Sequence, residues 1–286
     1  MSSAKGLAYE VWDVFAETPL QGNPLAVVFG AGALTGDEMQ ALARETNLSE
    51  TSFVLGAAPR GGGFAVRIFT PMNELPYAGH PTLGTASALR ARLAPPADDV
   101  VLQLGIGAVR VRFEDGGLAW LESPAAHFEP WDDRAAVAAA LGVPLAALDP
   151  ALPVLVQTRG PRQLFAPLRD RAAVESARVD AAAYERLCAA GAPGSLYVFA
   201  RGARAPENHF TVRLFAPAYG VPEDPATGSA AGFLGAYLVR QGERALDVRL
   251  EQGHAIRRPS LLRVRARGAA IEVGGRALRV ARGEWL

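Results

Sequence analysis

"FAPAYGVPEDPATGSAAGFL" (residues 215–234) follows the same plan as "FTPMNELPYAGHPTLGTASAL" (residues 69–89), earlier in the chain. At a constant offset of 146, Val66, Arg67, Phe69, Pro71 and Pro76 fall on Val212, Arg213, Phe215, Pro217 and Pro222, and Ile68 falls on Leu214. Five identities in eleven positions, all where a strand runs into a turn, exceed what apolar composition supplies by accident. They point to a duplication. The spacing is far longer than the roughly 20 to 50 residues of a solenoid repeat, so it implies two similar lobes with one copy in each.

A chain of 286 residues has room for one large domain or two of ordinary size. Half of the residues are hydrophobic, 20% are charged, and 29 Lys plus Arg balance 29 Asp plus Glu. Such a neutral chain carries no electrostatic footprint for nucleic acid or for an anionic membrane. Arg263, Arg265 and Arg267 alternate with apolar residues, the pattern of a solvated strand face rather than a phosphate stripe. The single cysteine, Cys188, excludes an intrachain disulfide and a multi-thiolate zinc site. It falls in the helical pattern "DAAAYERLCAA", where a small buried apolar role is expected. "MSSAKG" lacks the apolar stretch of a signal peptide, and no run of about 18 uncharged apolar residues occurs. The expectation is a soluble, cytoplasmic protein.

"LAYEVWDVF" (7–15) and "LAVVFG" (25–30) read as strands flanking the turn "TPLQGNP". Thr35 and Glu38 stand at capping-box spacing and start a helix running to about Thr46. "TSFVL" and "FAVRIFT" read as strands joined by the turn "RGGG", and Pro81 sits in the first turn of the helix "PTLGTASALRARL". Strands "VVLQLG", "AVRVRFED" and "LAWLES" follow, and the proline- and acid-rich "SPAAHFEPWDD" is the expected connection between lobes. The second half repeats the style. It carries a helix "RAAVAAALG", a strand "PVLVQT", a helix around 180–190, strands "SLYVFA" and "HFTVRLF", and a helix opening at "PATGSAAGFLGAYLV". Strands at 246–251, 261–267, 270–273 and 276–282 complete it. Many strands with one apolar helix per half predict an α+β fold of two lobes, each a curved, mostly antiparallel sheet around a central helix. The N-terminal lobe is expected over 1–124 and the C-terminal lobe over 125–275, with the last strand, 276–286, able to return to the first lobe. The active site is expected in the cleft between them.

In both copies a strand enters a proline-containing loop that opens a helix through small residues. The first turn of a helix leaves backbone N–H groups unpaired, and its dipole places about half a positive charge there. Gly79, Gly228 and Ser229 are small enough for a carboxylate to approach that backbone, although small residues at a helix start also serve packing alone. His80 and Asp224 stand at the two turns. Each has a plain alternative, His80 as a core or capping histidine and Asp224 as an N-cap or turn former. Glu50, in "NLSETSFVL", either edges a strand in water or points into an apolar cleft, where desolvation would raise its pKa and suit it to proton transfer. The four histidines (80, 127, 209 and 254) are scattered without ligand spacing, so no metal site is expected. No nucleotide-binding glycine pattern and no GxSxG elbow occurs, so no cofactor is expected.

Taken together, "LQGNPLAVVF", "LARETNLSETSFV", "VRIFTPMNELPYAGHPTLGTA", "LFAPAYGVPEDPATGSAAG" and, more weakly, "RRPS" resemble the PhzF family of phenazine-biosynthesis isomerases, which share the fold of diaminopimelate epimerase. The likeness spreads from about residue 9 to residue 260. Racemases and epimerases of that fold work with two thiols on opposite faces of the substrate carbon. At the constant offset those positions are Ala78 and Asp224, and Cys188 lies far away, so a two-thiol route is chemically closed to this chain. The resemblance implies proton transfer on one face by a carboxylic acid, Glu50. It implies that His80 and Asp224 hold the amino and hydroxyl substituents, while Ser49, Gly79, Gly228 and Ser229 line a carboxylate site. The implied reaction is isomerisation of trans-2,3-dihydro-3-hydroxyanthranilate, with a proton leaving C3 and returning at C1, by a homodimer that needs neither cofactor nor metal. The only partner expected is this small carboxylate, with no nucleic acid and no membrane. A PhzF-like isomerase of another small carboxylate and a non-catalytic carboxylate binder on the same fold are the alternatives. The binder would need no particular acid at position 50. A partner-binding protein would have no use for a duplicated anion-binding turn.

Overall fold

The computed structural model describes residues 5–56, 59 and 62–286, so part of the expected "RGGG" turn and the first residues of "MSSAKG" lie outside the described residues. The chain divides into two compact units, residues 1–122 with 274–286, and residues 123–273. Among the described residues no helix is long and apolar enough to cross a membrane.

The first unit begins with β1 (Ala8–Val14), β2 (Asn23–Phe29), α1 (Gly36–Thr46), β3 (Glu50–Val54), β4 (Phe64–Phe69) and β5 (Glu74–Leu75). Helix α2 (Gly79–Arg90) and strands β6 (Asp99–Leu104), β7 (Gly107–Glu114) and β8 (Leu118–Glu122) follow. The second unit holds β9 (Phe128–Pro130), α3 (Arg134–Ala140), β10 (Leu155–Gln157), β11 (Gln163–Pro167), α4 (Arg171–Ser176) and α5 (Ala181–Ala189). It continues through β12 (Leu196–Arg201), β13 (Phe210–Ala216), β14 (Val221–Asp224), α6 (Gly228–Arg240), β15 (Asp247–Gln252), β16 (Ser260–Arg267) and the first four residues of β17 (Ala270–Gly275), whose last two belong to the first unit. The last strand, β18 (Ala277–Glu284), pairs antiparallel with β1 and so belongs to the first unit.

Strand pairing shows the duplication directly. In the first unit β1–β2 is antiparallel, β2–β3 parallel and β3–β4 antiparallel. Strand β4 then pairs antiparallel with β5 and parallel with β6, and β6 pairs antiparallel with β7. In the second unit β10–β11 is antiparallel, β11–β12 parallel and β12–β13 antiparallel. Strand β13 pairs antiparallel with β14 and parallel with β15, and β15 pairs antiparallel with β16. The sequence of pairings is the same. Each copy also carries an Arg–Glu fork, Arg67 to Glu74 at 2.7 and 2.6 Å and Arg213 to Glu223 at 3.0 and 2.7 Å.

These pairings correct the sequence alignment beyond the first turn. Ile68 pairs with Leu75, whereas Leu214 pairs with Asp224, and the helices start at Gly79 and Gly228. The offset is therefore 146 along the strand and 149 from the glutamates onward, because the second turn is three residues longer. Ala78 corresponds to Thr227, not to Asp224, and the match of Pro76 with Pro222 was fortuitous. The helix of the first copy also begins two residues before Pro81. In the same way, "SPAAHFEPWDD" is only partly a connection, since Phe128–Pro130 form β9 and pair with β10.

Helix α2 is buried along almost its whole length and touches β1, β2, β3, β6, β7, β8 and β18. Two of its buried hydroxyls bond within the helix. Thr82 donates to the Ala78 carbonyl (2.7 Å) and Ser87 to that of Leu83 (2.9 Å), the backward bond that lets a hydroxyl sit in an apolar helix. Helix α6 is the counterpart in the second unit, with Tyr237 packed against Phe165 and Phe199 and its hydroxyl donating to the Pro153 carbonyl (2.7 Å).

The turn between β1 and β2 leads into Asn23, the first residue of β2. Gly22 has φ +69°, and a Cβ there would lie 2.3 Å from the Val14 carbonyl oxygen. Gly22→Ala therefore combines a left-handed backbone cost of about 1–2 kcal/mol with a clash against main chain that cannot rotate aside. The expected loss is more than about 2 kcal/mol, read as a lowered urea midpoint at unchanged m-value.

Candidate active site

Glu50 owes its place to the end of α1. Asn47 caps that helix in the left-handed conformation (φ 49°), and the chain turns within three residues into β3, which Glu50 opens. The parallel register sets Leu25 of β2 opposite Glu50, two residues after Asn23. His80 is the second residue of α2, 5% exposed, and its Nε2 lies 3.3 Å from Oε2 of Glu50. That approach is within ion-pair reach but is not aligned as a hydrogen bond. Such contacts commonly tighten only when substrate binds. On its other side, His80 Nδ1 lies 3.3 Å from the amide nitrogen of Asn23, and the Ser49 hydroxyl donates to the Asn23 carbonyl oxygen at 3.4 Å. Ser49, Asn23, His80 and Glu50 thus form one polar chain between β2, β3 and α2.

Burial lowers the His80 pKa to about 3, so its imidazole is neutral at physiological pH. The sign of the linkage follows. Between about pH 6.5 and about 3 the unfolded chain takes up a proton on this histidine and the folded chain does not, so stability falls as the pH falls through that window. His254, also lowered by burial, acts in the same direction. His80→Asn is expected to flatten the decline in unfolding free energy between pH 7 and 4 by up to about one proton's slope, leaving the His254 part. Equal slopes in the two proteins would contradict the buried neutral state.

In the second unit Asp224 ends β14, 9% exposed, and its carboxylate accepts a hydrogen bond from the Thr227 hydroxyl. Gln252 of β15 fixes this turn by donating to the Asp224 carbonyl (2.9 Å) and to Thr227 Oγ1 (3.0 Å). The wholly buried Tyr197 stands in the same cross-strand row, opposite Leu214, which is opposite Asp224. Burial first, and the Asp224 charge second, push its phenol above the ordinary value, so it stays protonated.

The capping role is removed for both residues by this geometry, while His80 is buried and Asp224 bonds within its own turn. Neither His80 nor Asp224 caps a helix, because the N-cap positions are Ala78 and Thr227, and neither of these makes a side-chain cap bond. Helices α1, α3, α4 and α5 are all capped by a Thr or Asp side chain. The two starts at Gly79 and Gly228 are the uncapped ones, and Ser229 is the second residue of α6. The repeat is chemically asymmetric as well. Thr51 and Leu196 occupy matching places opposite Phe69 and Phe215, so the residue matching Glu50 is Ser195. One copy of the scaffold carries the acid. Cys188 lies in α5, half-buried against the core of the second unit. Asn23, although it lies in the quoted motif "LQGNPLAVVF", and Gln252 are not among the site residues expected from the sequence. The signal for Asn23 was its setting between a turn glycine and a proline, and Gln252 had none.

Residues 12–283 match the PhzC-PhzF family of phenazine biosynthesis-like proteins. Over 287 residues the chain is 41% identical to trans-2,3-dihydro-3-hydroxyanthranilate isomerase from Pseudomonas aeruginosa, covering 96% of this chain and 98% of that protein. The chain belongs to the PhzC-PhzF family. A PhzF-family phenazine biosynthesis protein from Bacillus anthracis has a similar structure, with a TM-score of 0.86 at 25% identity over 99% of each chain. The fold extends to a probable proline racemase from Agrobacterium radiobacter, with a TM-score of 0.61 at 13% identity over 98% of this chain and 93% of that one. The PhzF chain therefore has the diaminopimelate epimerase-like fold, and it is an isomerase. Among the described residues no cluster of His, Cys, Asp and Glu is arranged to hold a metal ion.

Proposed function

We propose that this PhzF-family isomerase acts on trans-2,3-dihydro-3-hydroxyanthranilate, with Glu50 as its single acid–base group. The observation that carries the reading is the contact of Glu50 with a buried neutral histidine in a scaffold whose other copy has serine at the matching place. A thiol pair is not at hand, since the N-cap positions are Ala78 and Thr227 and the one cysteine is Cys188. The identity to the Pseudomonas aeruginosa isomerase supports the substrate.

In this reading the Glu50 carboxylate removes the C3 proton. The electron pair of that bond moves into the conjugated ring towards the carboxylate-bearing carbon, and the protonated Glu50 returns the proton at C1. Nothing is oxidised or reduced, and the enol left behind converts to its ketone after release. The family resemblance assigns the substrate carboxylate to Gly79, Gly228, Ser49 and Ser229, and the N–H groups of a helix's first turn suit the charge that develops on it. His80 and Asp224 hold the amino and hydroxyl substituents. The working form in this proposal is a homodimer, as the family resemblance implies, and its place is the cytoplasm. The test is to incubate the protein with trans-2,3-dihydro-3-hydroxyanthranilate, with no added metal or cofactor, and to follow absorbance. Steady conversion proportional to enzyme is expected. Binding without conversion would leave a carboxylate-binding protein instead.

A further inference from the structure

The residue behind His80 completes the site. Resting on the reading of Glu50 and His80 given above, we propose that Asn23 is a positioning residue, whose amide holds His80 as the Nε2–H tautomer so that the imidazole offers a donor to the Glu50 carboxylate.

A neutral imidazole has one N–H and one lone pair, and an ionised carboxylate only accepts. With Oε2 of Glu50 3.3 Å from Nε2, the proton belongs on Nε2, because the other tautomer sets two lone pairs face to face. The bare Nδ1 then needs a donor. It finds the Asn23 amide nitrogen at 3.3 Å, and an amide NH2 donates whatever the state of the histidine. Asn23 is 0% exposed, so water is not available to take its place. The Ser49 hydroxyl, 3.4 Å from the Asn23 carbonyl oxygen, supplies that oxygen with a donor and favours the same amide orientation. The backbone fixes the aim. Asn23 follows the left-handed Gly22, precedes Pro24, which restricts it to extended geometry, and pairs with Val14 of β1.

The consequence is chemical. A donor on Nε2 favours the ionised Glu50, which is the base that starts the reaction, and weakens its hold on the proton that must be returned. If the tautomer were reversed, Glu50 would rest protonated, donating to Nε2, and the base would be lost. Substrate binding would change little.

The experiment uses the full chain with 15N-labelled histidine and two-bond 15N–1H correlation at pH 7.5, with the His80 signals assigned by their loss in His80→Asn. The wild type is expected to show a protonated Nε2 and a bare Nδ1. Asn23→Asp replaces an obligate donor by an acceptor, so a proton moves to Nδ1 and kcat falls by about tenfold or more at a KM within about threefold. Asn23→Ser keeps a hydroxyl that can donate, and is expected to retain the tautomer and to recover part of the turnover. A wild-type spectrum with the proton on Nδ1 overturns the proposal, whatever Glu50→Gln does and whether or not Asn23→Asp folds. Parental kcat in an Asn23→Asp protein whose proton has moved also overturns it. Full turnover in Glu50→Gln would instead remove the reading of the site, with the spectrum unchanged.

Discussion

Glu50→Gln is expected to lower turnover by at least the roughly 10² to 10⁴ ascribed to general acid–base catalysis, while a carboxylate analogue of the substrate binds nearly as well as before. Glutamine keeps the length and planarity of the side chain but cannot take up a proton and give it back. It still presents a carbonyl oxygen towards His80 Nε2, now 3.3 Å from the acid, so the polar chain through Asn23 and Ser49 need not rearrange. Binding should survive because the anion is assigned to the uncapped helix starts, which the substitution does not touch. Three readings separate cleanly. A proton shuttle predicts loss of rate without loss of affinity, a merely structural acid predicts equal loss of both, and a binding protein predicts no turnover in either form. Stopped-flow turnover and calorimetric titration of both proteins measure the two quantities. Turnover in Glu50→Gln within tenfold of the parent would end the proposal, since the matching residue of the other unit, Ser195, offers no second acid.

The fold was legible where the signal was periodic or local. Thr35 and Glu38 form the capping box their spacing predicts, and the apolar tracts around residues 79–90 and 228–240 are the buried helices of the two units. The repeat itself was legible along the strand, where pairing allows no insertion. It failed in the turn, where three extra residues cost little and leave no periodic trace. The constant offset therefore set Ala78 against Asp224, although sheet register puts Leu75 there. Strand β11 and helix α4 were missed for a related reason, since five and six residues are too few to establish a period. The site divides in the same manner. Glu50, His80 and Asp224 stand out as polar residues in apolar or turn contexts, but Asn23 is meaningful only through contacts with residues 49 and 80, which no local pattern records.

Arg213→Met should cost about 3–5 kcal/mol, whereas Arg67→Met, the same change in the other copy of the repeat, should cost about 1 kcal/mol or less. The two arginines share their geometry. Each forks onto a glutamate of the next strand, and each lies over a phenylalanine two residues on, Arg67 5.0 Å from the ring of Phe69 and Arg213 4.6 Å from that of Phe215. Their surroundings differ. The side chains of Arg67 and Glu74 are 34% and 43% exposed, so although hydrogen bonding between them raises one pKa and lowers the other, water screens the pair. Those of Arg213 and Glu223 are 6% and 9% exposed. Arg213 also donates to the carbonyls of Val174 (3.0 Å) and Ala177 (2.7 Å), which satisfies the end of the two-turn helix α4. Its removal strands a buried carboxylate and takes one donor from each of those carbonyls, which keep the Ala177 N–H and the Arg178 guanidinium respectively, and a carboxylate out of water is the larger penalty. The second substitution tests this cause. Arg213→Met with Glu223→Leu removes the stranded charge and should recover part of the loss, while the bonds from the guanidinium to α4 stay lost. Urea unfolding of the four proteins gives the comparison. Equal losses for Arg67→Met and Arg213→Met would show that the fork is worth the same in water and in the core, and the argument from burial would fail.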